Sequence, residues 1–273
     1  MTDFFSALAE YGFLQRALLA CVLASIGCGI MGSYVVVKRV GFVAGGIAHT
    51  ILAGMGIAYY LGNSPLTGAL ICALIAALLI GLIKLRFKQD EDILIAAFWS
   101  VGMAIGVIFI SRTPGYNVDL MSYLFGNILL VTRLDLILML ILDVVIAGAV
   151  YCCYKQILAS AFDEEFARLR KIKVEAIYIM MLCLIALTVV LLVQIAGLIL
   201  VIALLILPAA SAALFVTSLR NMMLLAILFS LLITTGGLAL SYRPDLPAGA
   251  GIIVFAGMFY GLSLLVCSRL HRR

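Results

Sequence analysis

Charge is what this sequence has least of. Of its 273 residues only 11% are charged, against about a quarter in an ordinary soluble domain, and 66% are hydrophobic, against about half. A soluble globule this apolar could not cover its surface with polar side chains, and its exposed patches would aggregate. Long polar segments are missing too. The longest, Lys155 to Lys173, is 19 residues, far short of the 50 or so that a soluble domain needs. No GxxxxGK[ST] phosphate loop occurs, so the chain does not hydrolyse nucleotide by that route. Seven cysteines are present, all in or beside apolar runs and without a CxxC pair. That excludes a zinc knuckle or disulfide framework and leaves them as small packing residues.

What remains is apolar and periodic in length. A spanning helix takes roughly 20 apolar residues. Nine runs of about that length lie between charged or turn residues: Phe13 to Val37, Phe42 to Leu61, Leu66 to Ile83, Ile93 to Ile110, Leu134 to Tyr154, Val174 to Val193, Gly197 to Val216, Met222 to Leu240 and Gly249 to Cys267. The expected fold is all-α, a polytopic transmembrane bundle of eight or nine spans forming a single unit over 1–273. Asp3 and Glu10 precede the first run, no basic leader is present, and no small-residue cleavage site follows it. That run is expected to be a retained helix rather than a signal peptide. Leu120 to Leu130 is too short to span and reads as re-entrant or interfacial. Were it to span, the first half of the topology would invert.

The net charge of +5 is distributed unevenly. With Leu120 to Leu130 not spanning, 14 of the 18 lysines and arginines gather on the side of the C-terminus. The other four are Arg16, Arg112, Arg133 and Arg243. The positive-inside rule then places the C-terminus in the cytoplasm and the N-terminus outside. Pairs at GxxxG spacing, Gly102/Gly106 and Gly257/Gly261, suggest closely packed helices.

Ionisable residues inside apolar runs are costly, at roughly 2.5–3.5 kcal/mol for a charge on insertion scales, so they are the informative ones. His49 lies mid-run in Ala44-Gly45-Gly46-Ile47-Ala48-His49. It is either hydrogen-bonded to a neighbouring helix or a metal ligand or proton carrier. Asp143, in Leu140-Ile141-Leu142-Asp143-Val144-Val145, needs a partner, a proton or a water-filled cavity. Asp119 and Asp135 flank Leu120 to Leu130 and are expected at the outer interface, where a carboxylate is cheap, as solvated loop charges or as the lining of an entrance vestibule. Phe162-Asp163-Glu164-Glu165 leads into Arg168, Arg170 and Lys171, an order that suits a helix dipole. It is a solvated connector or a docking surface. At Pro208 a break is expected, followed by small residues Ala209-Ala210-Ser211-Ala212-Ala213 and then Arg220, with room for a short cytoplasmic-side helix.

Five stretches in order carry a resemblance: Val36 to Gly54, Leu120 to Leu130, Phe162 to Lys173, Gly197 to Ala213, and Asp245-Leu246-Pro247-Ala248-Gly249. Together the chain resembles the zinc/manganese/iron ABC-transporter permeases, whose fold is similar to that of vitamin B12 and siderophore importers. The resemblance implies a multi-pass membrane subunit of the plasma or inner membrane, working as a homodimer. It implies cytoplasmic ATPase subunits, an extracytoplasmic metal-binding protein, surrounding lipid, no nucleic acid and no enzymatic activity in this chain. Its cargo would be zinc first, with manganese or iron as alternatives, and no permanently bound cofactor. By the same resemblance Pro208, Ala209, Ala210, Ser211 and Ala212, with Phe162 to Glu165, would couple to the ATPase. The family pattern has Gly-Asp and a serine before the histidine; here Ala44-Gly45 and Ala48 stand there, and His49 is retained. Asp143 is then the other intramembrane carboxylate available as a ligand. Two readings compete: an ABC importer of a chelated metal, and an ion-coupled secondary transporter with His49 and Asp143 as a proton relay.

Overall fold

The computed structural model describes residue 8 and residues 10–87, 90–113, 126, 128–242 and 248–270. Among these it is built of α-helices: α1 (Gly12–Lys38), α2 (Gly41–Tyr60), α3 (Pro65–Phe87), α4 (Glu91–Ser111), α5 (Arg133–Phe162), α6 (Glu164–Leu169), α7 (Val174–Ala213), α8 (Leu219–Tyr242) and α9 (Ala248–Leu270). A short 3₁₀ turn spans Ile128–Leu130. Among the described residues, eight helices are long and apolar enough to cross a membrane. The rest of Leu120 to Leu130, Asp119 and Asp245 to Pro247 lie outside the described residues, apart from Gly126.

The breaks have local causes. Arg39 ends α1 in the left-handed region (φ 59°), its N–H returning to the Val36 carbonyl. Gly62, at φ 73°, turns the chain after α2, and Pro65 then opens α3, where a missing N–H costs nothing. Asp163 caps α6, its Oδ1 accepting from the Phe166 N–H at 2.9 Å.

The sixth and seventh runs part as expected: at Gly197 (φ 67°, ψ 173°), a conformation that favours glycine, the backbone leaves the helical region and divides α7 into two helices. Three expectations are corrected. Beyond the kink the apolar helix Leu200–Ala213 is too short to count as a span by itself. Nor does the helix break at Pro208. It continues to Ala213, followed by a turn before α8, so no separate helix starts at the proline. The fifth run also continues past Lys155 to Phe162, because a charged residue at a membrane edge ends the apolar run without ending the helix.

The chain forms two compact units. One comprises α1, the first half of α5, α7 from Leu191, α8 and α9. Within it α8 packs on α1 and α9. The other comprises α2, α3, α4, the second half of α5, α6 and α7 to Val190. Within it α2 lies against both α3 and α4. Buried hydroxyls of both units donate to carbonyls one turn back, as Ser33 to Gly29, Thr188 to Leu184 and Ser241 to Gly237. Polar groups thus find partners without leaving their helix, as hydrocarbon surroundings require. The outward side chains are themselves apolar, including Val101 and Ile108 of α4, Leu140 and Val144 of α5, and Val254 and Leu262 of α9.

Candidate functional site in the second unit

His49 sits on α2 among small residues: Ala44, Gly45, Gly46, Ala48, Ala53 and Gly54 are all buried. Their size brings two helices up to the α2 backbone. On one side a Cβ on Gly102 of α4 would lie 2.7 Å from Thr50 Cα, and one on Gly106 would lie 2.6 Å from the Leu52 carbonyl oxygen. On the other, Gly54 meets the backbone of Gly68 on α3. Thr50 ties these contacts together. Its hydroxyl lies 2.7 Å from the Gly46 carbonyl and 3.0 Å from the Phe98 carbonyl of α4, and its own carbonyl accepts from the Cys72 thiol at 3.3 Å. The GxxxG spacing at Gly102/Gly106 is therefore a true crossing, whereas Gly257 and Gly261 have nothing within 4 Å of an added Cβ.

This register sets Trp99, one turn before Gly102, flat against His49. The ring centroids are 4.1 Å apart and the planes differ by 7°. The indole is itself held, its Nε1–H donating to the Met103 Sδ at 3.1 Å. His49 is half-buried; its Nδ1 is sealed and has no hydrogen-bond partner among the described residues. Among the described residues, no hydrogen bond to a neighbouring helix holds Nδ1. Trp99 was hidden in an apolar run. Its position one turn before a GxxxG glycine is the sequence signal that could have found it.

Asp143 belongs to the other unit. It is only 4% exposed, and neither carboxylate oxygen has a hydrogen-bond partner among the described residues. The carboxylate approaches Gly27 and Cys28 of α1, and the Cys28 thiol lies beside Ser230 of α8. One turn along, Ser25 and Thr234 oxygens are 3.3 Å apart. Asp143 thus ends a buried seam of thiols and hydroxyls between α1 and α8. His49 and Asp143 are held by different units, and among the described residues no three of His, Cys, Asp and Glu gather as a metal cluster.

The residues assigned to coupling divide sharply. Pro208, Ala209, Ser211 and Ala212 are buried and Ala210 is half-buried, with Ala209 and Ala212 packed on Met222 and Ala226 of α8. The small residues permit an internal helix contact. The exposed surface beside them is Ala213, Phe215, Thr217, Ser218 and Arg220. In the second unit Phe162, Asp163, Glu164 and Glu165 are all exposed, as are Phe166 and Leu169 of α6. An ion pair from Arg168 to Glu175 ties α6 to the start of α7.

A multi-pass helical protein with a half-buried imidazole on a tightly packed helix is the class that fold and site define. The family comparison agrees with the sequence resemblance: the model of the ABC 3 transport family matches residues 10–267, and the chain belongs to that family. It is 40% identical to a "Probable metal transport system membrane protein" of Chlamydia pneumoniae, covering 94% of this chain and 89% of that protein. It is 34% identical to the "Manganese transport system membrane protein MntC" of Halalkalibacterium halodurans, over 96% of this chain and 90% of the relative. Among solved structures it superposes on "PsaBC from Streptococcus pneumoniae in complex with Fab" with a TM-score of 0.87 and 30% identity, covering 96% of this chain and 94% of that one.

Proposed function

We propose that the chain is the membrane permease of an ATP-driven importer for a divalent transition metal, with manganese as the cargo. The observation that carries this reading is the near-full-length match to proteins named for metal and manganese transport. Manganese is taken ahead of the zinc expected from the sequence because relatives named for a particular metal are named for manganese. Nitrogen and oxygen donors suit a divalent first-row cation. His49 is the ligand that meets the ion in transit. Asp143, held in the buried seam, is the second ligand of this reading. A transport site must release what it binds, so few ligands are expected.

The chain acts as a homodimer in the plasma or inner membrane, with its C-terminus cytoplasmic. Separate ATPase subunits supply the energy, since no phosphate loop exists here, and an extracytoplasmic binding protein delivers the metal. The ATPase meets the exposed turn from Ala213 to Arg220 and the Phe162 to Glu165 connector. Buried Ala209 and Ala212 hold that turn in place from inside.

The test is ATP hydrolysis and manganese uptake in vesicles, with the chain alone and with its ATPase subunit. The chain alone should hydrolyse no ATP, and Phe215→Asp should leave the chain folded while uncoupling hydrolysis from uptake. Hydrolysis by the chain alone would overturn the reading, as would uptake driven by a proton gradient without ATP, which belongs to the secondary-transporter alternative.

A further inference from the structure

We propose that Trp99 is the positioning residue of the His49 site, fixing the imidazole so that a divalent cation reaches it only along the Nε2 edge. The inference rests on the reading of His49 as the cation's ligand. A metal binds an imidazole nitrogen in the plane of the ring. The indole covers one face at 4.1 Å, nearly parallel, and the Nδ1 edge is sealed in protein. Nε2 is the nitrogen left for an ion. Ligating histidines are ordinarily oriented by a hydrogen bond from the second ring nitrogen to a carboxylate or carbonyl, which also raises their basicity. No such acceptor meets Nδ1 among the described residues, and Gly45, one turn earlier on α2, offers no side chain to supply one.

Orientation therefore falls to the stack, and the stack is well anchored. Trp99 is tied to Met103 through Nε1–H···Sδ, and α4 is registered on α2 by Thr50 bonding to the Phe98 carbonyl, the residue before Trp99. Stacking orients the ring without the electron donation of a carboxylate partner. His49 becomes an aligned but weak ligand, suited to an ion that must move on.

Trp99 is the only tryptophan in the chain, so its emission reports on this one place. The experiment titrates the full chain, purified in detergent, with Mn²⁺, following tryptophan emission and equilibrium binding of radiolabelled Mn²⁺ in parallel. Wild type should bind Mn²⁺ with a matching change in emission. Trp99→Phe, which keeps a flat ring against the imidazole, should bind close to wild type. Trp99→Leu, which keeps bulk but no flat face, should weaken binding by about tenfold or more, the scale set by loss of an orienting partner. His49→Gln should abolish both binding and the emission change. Wild-type affinity in Trp99→Leu, with binding lost in His49→Gln, overturns the positioning role and leaves His49 as ligand. Undiminished binding in His49→Gln overturns the ligand reading itself. Should Trp99→Leu fail to fold, wild type decides: binding that depends on His49 yet leaves emission unchanged contradicts the proposal.

Discussion

His49 and Asp143 are both ionisable groups in the middle of apolar helices, yet their surroundings differ in kind. Around His49 the helices cross at backbone distance, and the side chain is left half-buried with Nδ1 sealed. Around Asp143 the helices bring thiols and hydroxyls instead, and the carboxylate is sealed with neither oxygen bonded among the described residues. Close backbone crossings build a rigid wall beside a group that stays partly accessible. A sealed polar seam does the opposite, keeping its group out of reach. On the proposed reading, the difference gives His49 first contact with the cargo and Asp143 a later one.

The largest effect should come from breaking the wall. Gly54→Leu drives a side chain into the Gly68 backbone, which cannot yield as a flexible side chain can. Overpacking typically costs about 1–3 kcal/mol, and a backbone clash belongs at the upper end or beyond. The variant should lose most folded protein by size-exclusion chromatography, while Gly257→Leu, which enters open space, should elute and unfold like wild type. Equal behaviour of the two would mean that the α2–α3 crossing is not as tight as described.

Next in size is His49→Gln, which keeps donor and acceptor but ligates metals poorly. Manganese uptake should fall by about tenfold or more, with thermal unfolding unchanged; even the outer partner of a ligand is worth that much. Asp143→Asn should act more weakly, slowing uptake severalfold at most. Its unfolding temperature should not fall, because the amide avoids the cost of burying a charge. A loss in Asp143→Asn equal to that in His49→Gln would erase the distinction between an open and a sealed group.

Helix existence was legible from run length alone, since hydrocarbon demands about 20 apolar residues wherever the chain crosses. Helix ends were not. The backbone of α5 runs on through Lys155 because interfacial charge is compatible with helix, and α7 passes Pro208 without breaking. The break at Gly197 falls where the sixth and seventh runs part, through a positive φ that glycine readily adopts. His49 was visible as a lone imidazole in an apolar run, but its partner was not. Trp99 looks like any other apolar residue until the Gly102 crossing fixes which face of α4 meets α2. The inward packing of Ala209 and Ala212 was not legible for a related reason: small side chains permit close approach to whatever lies beside them, and here that is α8 of the same unit.

The most direct test of the account is radiolabelled manganese uptake into vesicles holding the chain with its ATPase subunit and binding protein, comparing wild type with His49→Gln. ATP-dependent accumulation in wild type and its near-complete loss in His49→Gln, with both complexes assembled and hydrolysing ATP, is the predicted result. Equal accumulation by the two would contradict the claim that the ion passes through the hand of His49.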